Sequence, residues 1–156
     1  GPCITTGVGL SAACDFRIAS DQAKIGWVFL KRGLVPDEGS LGLLVKLLGY
    51  QTTYKLGILG ELISPDEALN IGLIDTIVPQ NELIDHCLSL AEKISKAGPP
   101  LAQQMFKKIC NESQYSSYEE TSRQAHLAFE SLTRTRDHKE SVRAFAEKRD
   151  PIWTGE

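Results

Sequence analysis

Hydrophobic and polar positions divide the chain into a first half of short mixed segments and a second half with helical spacing. Short alternating runs predict strands, and longer apolar runs bounded by glycine predict buried helices. The strand patterns occupy residues 16–19, 24–28 and 73–78, and the helical patterns occupy residues 7–14, 41–48 and 52–59. This alternation of strand and helix patterns predicts an α/β core in the first half of the chain.

A strong helix start lies at Ser64-Pro65-Asp66-Glu67. Serine is a favoured N-cap, proline fits the first helical position, and acids in the first turn complement the helix dipole. Gly72 marks the end of this helix, since glycine readily follows a helix C-terminus. Pro79 then closes the last predicted strand.

After Pro79 the pattern is helical throughout, over residues 81–97, 101–110, 118–132 and 137–148. Apolar residues recur on one side of each helix, and such a helix is stable mainly through packing of that side. We therefore predict two regions, a βα core over 1–79 and a helical C-terminal region over 80–156.

Composition narrows the possible classes of protein. The chain has 156 residues, which suits one domain, and is 42% hydrophobic and 24% charged. A net charge of −3 gives no basic surface for nucleic acid. No apolar stretch is long enough to cross a bilayer. The four cysteines are scattered and form no metal-ligand pattern, so no metal site is expected.

Four ordered segments resemble the crotonase (enoyl-CoA hydratase/isomerase) superfamily. Residues 1–20 resemble its glycine-rich turn, short helix and Cys-Asp strand start, and 23–26 resemble the strand that leads into the active-site wall. Residues 60–75 resemble its signature of a glycine, a Glu-Ala pair and a Gly-Leu pair at fixed spacing. The segment Phe145-Ala146-Glu147-Lys148-Arg149 resembles its C-terminal motif. The resemblance implies the downstream part of a crotonase-like ββα spiral core, followed by a helical trimerisation region. It also implies that further residues precede the chain in the whole protein.

Asp37 is the main candidate for chemistry. It lies between the apolar run 25–30 and the helical pattern 41–48. A carboxylate beside Trp27, Phe29 and Leu34 would lose hydration, which raises its pKa and suits a proton shuttle. The alternative is a turn acid that caps the next helix.

The resemblance favours the catalytic interpretation of Asp37, because isomerase-like family members carry a single acid at this position. Glu38 is the neighbour that could replace it, although adjacent residues rarely point to one target. The family's hydratases instead use two glutamates, which would fall at Gly9 and Phe29. Neither residue can activate water, so the sequence favours a double-bond isomerase.

The oxyanion expected in an enolate reaction needs preorganised N–H donors, and a helix start supplies them. By resemblance the Thr6 N–H is one such donor, with Gly7 beside it in the substrate site. The alternative is an ordinary helix N-terminus that is capped by Thr5. Trp27, Phe29 and Leu34 are expected to line the acyl pocket.

Phe145 and Lys148 are candidates for binding the CoA nucleotide, because the matching family residues approach it, often from a neighbouring subunit. The alternative is a surface lysine beside a core phenylalanine. The resemblance implies an acyl-CoA substrate, no cofactor beyond the CoA thioester, and a homotrimer or hexamer.

Three alternative functions remain open: an enoyl-CoA hydratase or other family lyase or hydrolase, an aryl-CoA dehalogenating enzyme, and a non-catalytic crotonase-like interaction domain. The four scattered cysteines are expected to be reduced thiols in a reducing compartment.

Overall fold

The computed structural model describes residues 1–156, which form two compact units, Gly1–Leu88 and Ser89–Glu156. The first unit contains all five strands, β1 (Pro2–Ile4), β2 (Ile18–Ser20), β3 (Lys24–Gly26), β4 (Leu62–Ile63) and β5 (Thr76–Val78). It also contains four helices, α1 (Thr6–Ala12), α2 (Ser40–Leu48), α3 (Tyr50–Leu59) and α4 (Pro65–Asn70), and a 3₁₀ turn at Phe29–Arg32. The long helix α5 (Leu83–Ala97) begins in the first unit and ends in the second.

The strands form two small sheets. One has the order β1-β3-β4, with β1 and β3 parallel and β4 antiparallel to β3. The other pairs β2 with β5 in parallel. Parallel pairing requires a crossover between strands, and α1 belongs to the crossover that joins β1 to β3. This connection brings the start of α1 beside the end of β3.

The core of the first unit is apolar. Helix α2 contributes Leu44, which is fully buried, and α1 contributes Val8, which is also fully buried. The remaining members of the cluster come from the strands, the residue after β3, α3, α4 and the segment after α4: Ala19, Ile25, Trp27, Leu56, Ala68, Leu73 and Ile74. Burial of these side chains stabilises the unit, because it removes apolar area from water.

The helix start predicted at Ser64 is confirmed in detail. The Ser64 hydroxyl accepts a hydrogen bond from the Glu67 N–H at 3.2 Å, and the Ser64 N–H donates to the Glu67 carboxylate at 2.8 Å. Gly72 follows α4 with a φ of 79°, a left-handed conformation that favours glycine. The three predicted strands are all shorter than their sequence patterns, since β2 begins at Ile18, β3 ends at Gly26 and β5 begins at Thr76.

The second unit is helical, with the C-terminal part of α5, then α6 (Pro100–Ser113), α7 (Tyr118–Leu132) and α8 (Arg136–Glu147). The bounds of α7 agree with its sequence pattern. Ser117 and Thr135 cap α7 and α8 through their hydroxyls, which accept hydrogen bonds at 3.2 and 3.1 Å. Large apolar side chains on these helices are exposed within the chain, among them Phe106, Leu127, Phe129 and Phe145.

Candidate functional site

The turn between β1 and α1 has an unusual backbone conformation at Thr5. Its φ of 51° and ψ of −113° are rare for a residue with a branched side chain. The Thr5 N–H donates to the Gly26 carbonyl at 2.9 Å, and its hydroxyl donates to the Ile4 carbonyl at 2.8 Å. Thr5 therefore does not cap α1 with its side chain, and the alternative interpretation of this helix start lacks its capping bond.

Thr6 and Gly7 begin α1, and their N–H groups have no backbone acceptor. The Thr5 carbonyl accepts from Val8 N–H at 3.0 Å and Gly9 N–H at 3.4 Å, which leaves the two preceding donors unpaired. Unpaired N–H groups in the first turn are the donors that suit a developing oxyanion. The expected role of Thr6 is compatible with this arrangement and stays a prediction.

Gly9 lies on the next turn of α1, against the loop that precedes α2. A Cβ added at Gly9 would lie 2.8 Å from Glu38 Oε1 and 2.6 Å from Ser40 Cβ. The space that a side chain at position 9 would need is therefore occupied by the Glu38 carboxylate. The Ser40 hydroxyl, which is fully buried, donates a hydrogen bond of 2.9 Å to Glu38 Oε1.

The sequence pattern did not predict this arrangement of Gly9, Glu38 and Ser40. The absence of a side chain at Gly9 was its only signal in the sequence, and that signal does not say which residue fills the space. The contact depends on the tertiary approach of the loop to α1.

Asp37 precedes this contact on the same loop and is exposed in this chain. Its expected loss of hydration beside Trp27, Phe29 and Leu34 is not seen here. Leu34 is also exposed, at 58%. The catalytic role of Asp37 and the substrate-binding role of Leu34 stay predictions.

An apolar cavity of about 150 Å³ lies between the 3₁₀ turn, α2 and α3. Trp27 and Phe29, both expected in the acyl pocket, line it and pack edge to face with ring centres 6.5 Å apart. Pro36, which directly precedes Asp37, also lines the cavity, together with Leu30, Val35, Leu41, Val45, Tyr50, Thr53, Tyr54, Gly57 and Ile58. The cavity offers apolar walls next to the loop that carries Asp37 and Glu38.

Trp27 is fixed in this wall by close packing. A Cβ at Gly57 would lie 3.1 Å from the indole ring, so the absence of a side chain there lets α3 approach Trp27. The indole N–H and the Thr53 hydroxyl are buried without hydrogen-bond partners. Buried polar groups without partners cost free energy, which makes them polar exceptions in this otherwise apolar wall.

Phe145 and Lys148 lie in the second unit, at the end of α8. Phe145 is 87% exposed, and Lys148 ends the helix with a left-handed φ of 53°. Both side chains are accessible. Their predicted contact with the CoA nucleotide remains a prediction.

The same unit contains a carboxylate network around α8. Hydrogen bonds from Arg149, then Arg143, lower the pKa of Glu140 from 4.5 to about 2. Asp137 is buried and accepts from the Thr154 N–H at 2.7 Å, which is the main reason that its pKa is lowered. These bonds tie the C-terminal residues to α8.

Comparison with known proteins identifies the family. The family model described as enoyl-CoA hydratase/isomerase matches residues 1–156. An enoyl-CoA isomerase/hydratase of Mycosarcoma maydis is 31% identical over 159 residues, which cover 99% of this chain and 57% of that relative. A carnitinyl-CoA dehydratase of Salmonella agona is 33% identical over 153 residues, covering 96% of this chain and 58% of that relative.

The fold agrees with a solved structure. The crystal structure of an enoyl-CoA hydratase from Bacillus anthracis superposes with a TM-score of 0.95 at 31% identity, over 100% of this chain and 60% of that one. The chain therefore belongs to the enoyl-CoA hydratase/isomerase family of enzymes, and the prediction of a crotonase-like α/β fold is confirmed. It spans less than two thirds of the length of these relatives. No helix combines the length and hydrophobicity needed to cross a membrane.

Proposed function

We propose that the full-length protein moves a double bond in an enoyl-CoA through an enolate of the thioester. The observation that carries the proposal is the apolar cavity lined by Trp27, Phe29 and Pro36, directly beside the loop that bears Asp37. At positions 9 and 29 the chain has glycine and phenylalanine, which cannot activate water. A 1,3-proton shift adds no water to the substrate, and apolar walls suit such a reaction.

In this proposal each named residue has a defined task. Asp37 moves the proton, because a carboxylate can take it from one carbon and return it two carbons away. The Thr6 N–H, with Gly7 beside it, stabilises the negative charge on the thioester oxygen. Trp27 and Phe29 hold the acyl chain. No cofactor beyond the CoA of the substrate is needed for this reaction.

The experiment is the Asp37→Asn variant of the full-length protein, assayed for conversion of a 3-enoyl-CoA to the 2-enoyl-CoA. A general acid/base contributes on the order of 10²–10⁴-fold to rate, so we expect a loss of about a hundredfold or more. Affinity for a CoA ester should survive, because the substitution preserves shape. Near-normal turnover in Asp37→Asn would remove Asp37 from the mechanism.

Hydration of a 2-enoyl-CoA is the second candidate function. The Glu38 carboxylate against Gly9 supports it, since position 9 is where the resemblance expects a hydratase glutamate. Product analysis in water enriched in heavy oxygen separates the two reactions. We expect isomerisation to exceed hydration, and rapid incorporation of label into a 3-hydroxyacyl product would reverse this order. Absence of both reactions would favour a binding module.

We further propose that the full-length protein is a homotrimer or a hexamer. In this assembly Phe145 and Lys148 face the CoA nucleotide. Exposed aromatic side chains on α6, α7 and α8 support an assembly, since large apolar patches on a helix are usually covered by another surface. Light scattering coupled to size exclusion tests it. A monomer at micromolar concentration would contradict it.

A further inference from the structure

We propose that Glu38 is a second catalytic carboxylate, which takes the proton from the carbon next to the thioester carbonyl, and that Asp37 delivers this proton to the γ-carbon. This inference rests on the proposed isomerase function, and it divides between two carboxylates the proton transfer that was assigned there to Asp37 alone. It follows from the contact of Glu38 with Gly9 and Ser40, which sequence similarity does not indicate.

The position of Glu38 follows from the geometry of α1. Its Oε1 lies 2.8 Å from the place of a Cβ at Gly9. The Cα–Cβ bonds of an α-helix tilt toward the N-terminus, so a side chain at position 9 covers the preceding turn. The carboxylate therefore lies over the first turn of α1, which carries the unpaired Thr6 N–H. In this proposal, a thioester whose oxygen accepts from Thr6 N–H turns its α-carbon toward the Glu38 carboxylate.

Ser40 is the positioning residue for Glu38. Its hydroxyl is fully buried and donates a hydrogen bond of 2.9 Å to Glu38 Oε1. This bond fixes one oxygen of the carboxylate and leaves the other oxygen available as a base. Ser40 is the first residue of α2, and the same helix carries Leu44, which is buried in the core. Both carboxylates are exposed in this chain, but only Glu38 is held by a hydrogen bond, so the Asp37 side chain is free to turn and deliver a proton.

The proposed step balances. The Glu38 carboxylate takes the α-proton, and the C–H electron pair enters a dienolate with its negative charge on the thioester oxygen. Glu38 passes the proton through water to the Asp37 carboxylate. The resulting Asp37 carboxylic acid protonates the γ-carbon, and the electron pair forms the conjugated double bond. Both carboxylates end ionised, as they began.

The test uses a 3-enoyl-CoA deuterated at the α-carbon, incubated with the full-length protein in ordinary water. Loss of deuterium reports proton removal, and appearance of the 2-enoyl-CoA reports the complete reaction. In Glu38→Gln we expect both rates to fall by about a hundredfold or more, the scale of a general base. In Asp37→Asn we expect deuterium loss to continue while isomerisation falls.

Other outcomes are equally informative. Normal deuterium loss in Glu38→Gln, with loss of both rates in Asp37→Asn, would overturn the inference and leave Asp37 as the single shuttle. If the unchanged protein neither exchanges nor isomerises the substrate, the proposed function fails, and this inference fails with it.

Two glycines provide a matched control for the geometry. A Cβ at Gly9 would collide with Glu38 and Ser40, whereas a Cβ at Gly42 on α2 meets nothing within 4 Å. We expect Gly9→Ala to slow deuterium loss strongly and Gly42→Ala to leave it unchanged, with both variants folded by circular dichroism. Equal rates of deuterium loss in the two variants would show that proton removal does not depend on the position of Glu38 against α1.

Ser40 gives an independent measurement. Ser40→Ala should lower the rate of deuterium loss at saturating substrate while KM for the CoA ester stays unchanged, and Ser40→Thr should restore the rate because it retains the hydroxyl. A change in KM alone would contradict a positioning role for Ser40.

Discussion

The two compact units of this chain are stabilised differently. Gly1–Leu88 has nearly all of the buried apolar side chains, with Val8 and Leu44 fully enclosed. Ser89–Glu156 buries a single alanine among its apolar residues, Ala144, and exposes several aromatic rings. It is held by helix caps and by the bonds of Asp137 and Glu140. The first unit therefore has an enclosed apolar core, whereas the second exposes the apolar faces of its helices.

A substitution in each unit provides the strongest test of this difference. Leu44→Ala should lower the free energy of unfolding by about 2–5 kcal/mol, the usual range for a buried leucine. Phe129→Ala, at a side chain that is 67% exposed, should have little effect on the folding of its own unit and should instead weaken assembly. Chemical denaturation and light scattering measure the two effects. A large loss of folding stability in Phe129→Ala at monomeric concentrations would erase the contrast.

The second largest effect is expected from acid, which should destabilise the second unit. The pKa of Glu140 is lowered from 4.5 to about 2, so this carboxylate stabilises the fold above about pH 4.5. Its contribution is lost as pH falls toward 2, because the unfolded chain binds the proton more readily. Amide exchange of residues 149–155 during an acid titration measures the effect. Glu140→Gln should remove much of this pH dependence, and an unchanged titration would contradict the role of Glu140.

Helix caps allow a matched comparison of the two units. Ser64→Ala in the first unit and Ser117→Ala in the second each remove a cap hydroxyl, which should cost about 1 kcal/mol. Ser64 also belongs to a capping box with Glu67, so its loss should be the greater of the two. Thermal denaturation of both variants checks this order. A silent Ser117→Ala would indicate that α7 is held by packing after all.

The smallest effect is expected at the end of α8. Lys148 has a left-handed φ of 53°, so Lys148→Gly should relieve strain and raise stability by up to about 1 kcal/mol. If Lys148 also meets a CoA phosphate, the same variant should bind CoA esters more weakly. Calorimetry of unfolding and of CoA binding measure the two quantities. Tighter CoA binding in Lys148→Gly would exclude the phosphate role.

The sequence alone determined most of the local structure. Helical spacing, the Ser64 cap and the glycine at position 72 act within a few residues, so their helices agree with the patterns. Family resemblance also predicted the fold class, which is confirmed, and the oxyanion role of Thr6, which stays a prediction. These features depend on short-range geometry or on ordered motifs, which a single chain displays directly.

The tertiary structure decided the place of each carboxylate. Local pattern made Asp37 the prominent acid, while the approach of the loop to α1 brings Glu38 into the space left by Gly9. Hydration is likewise a tertiary property, and Asp37 is exposed despite its apolar neighbours in sequence. Adjacent residues have nearly the same sequence environment, but their side chains point in different directions, and only the packing of distant segments determines which of them meets α1.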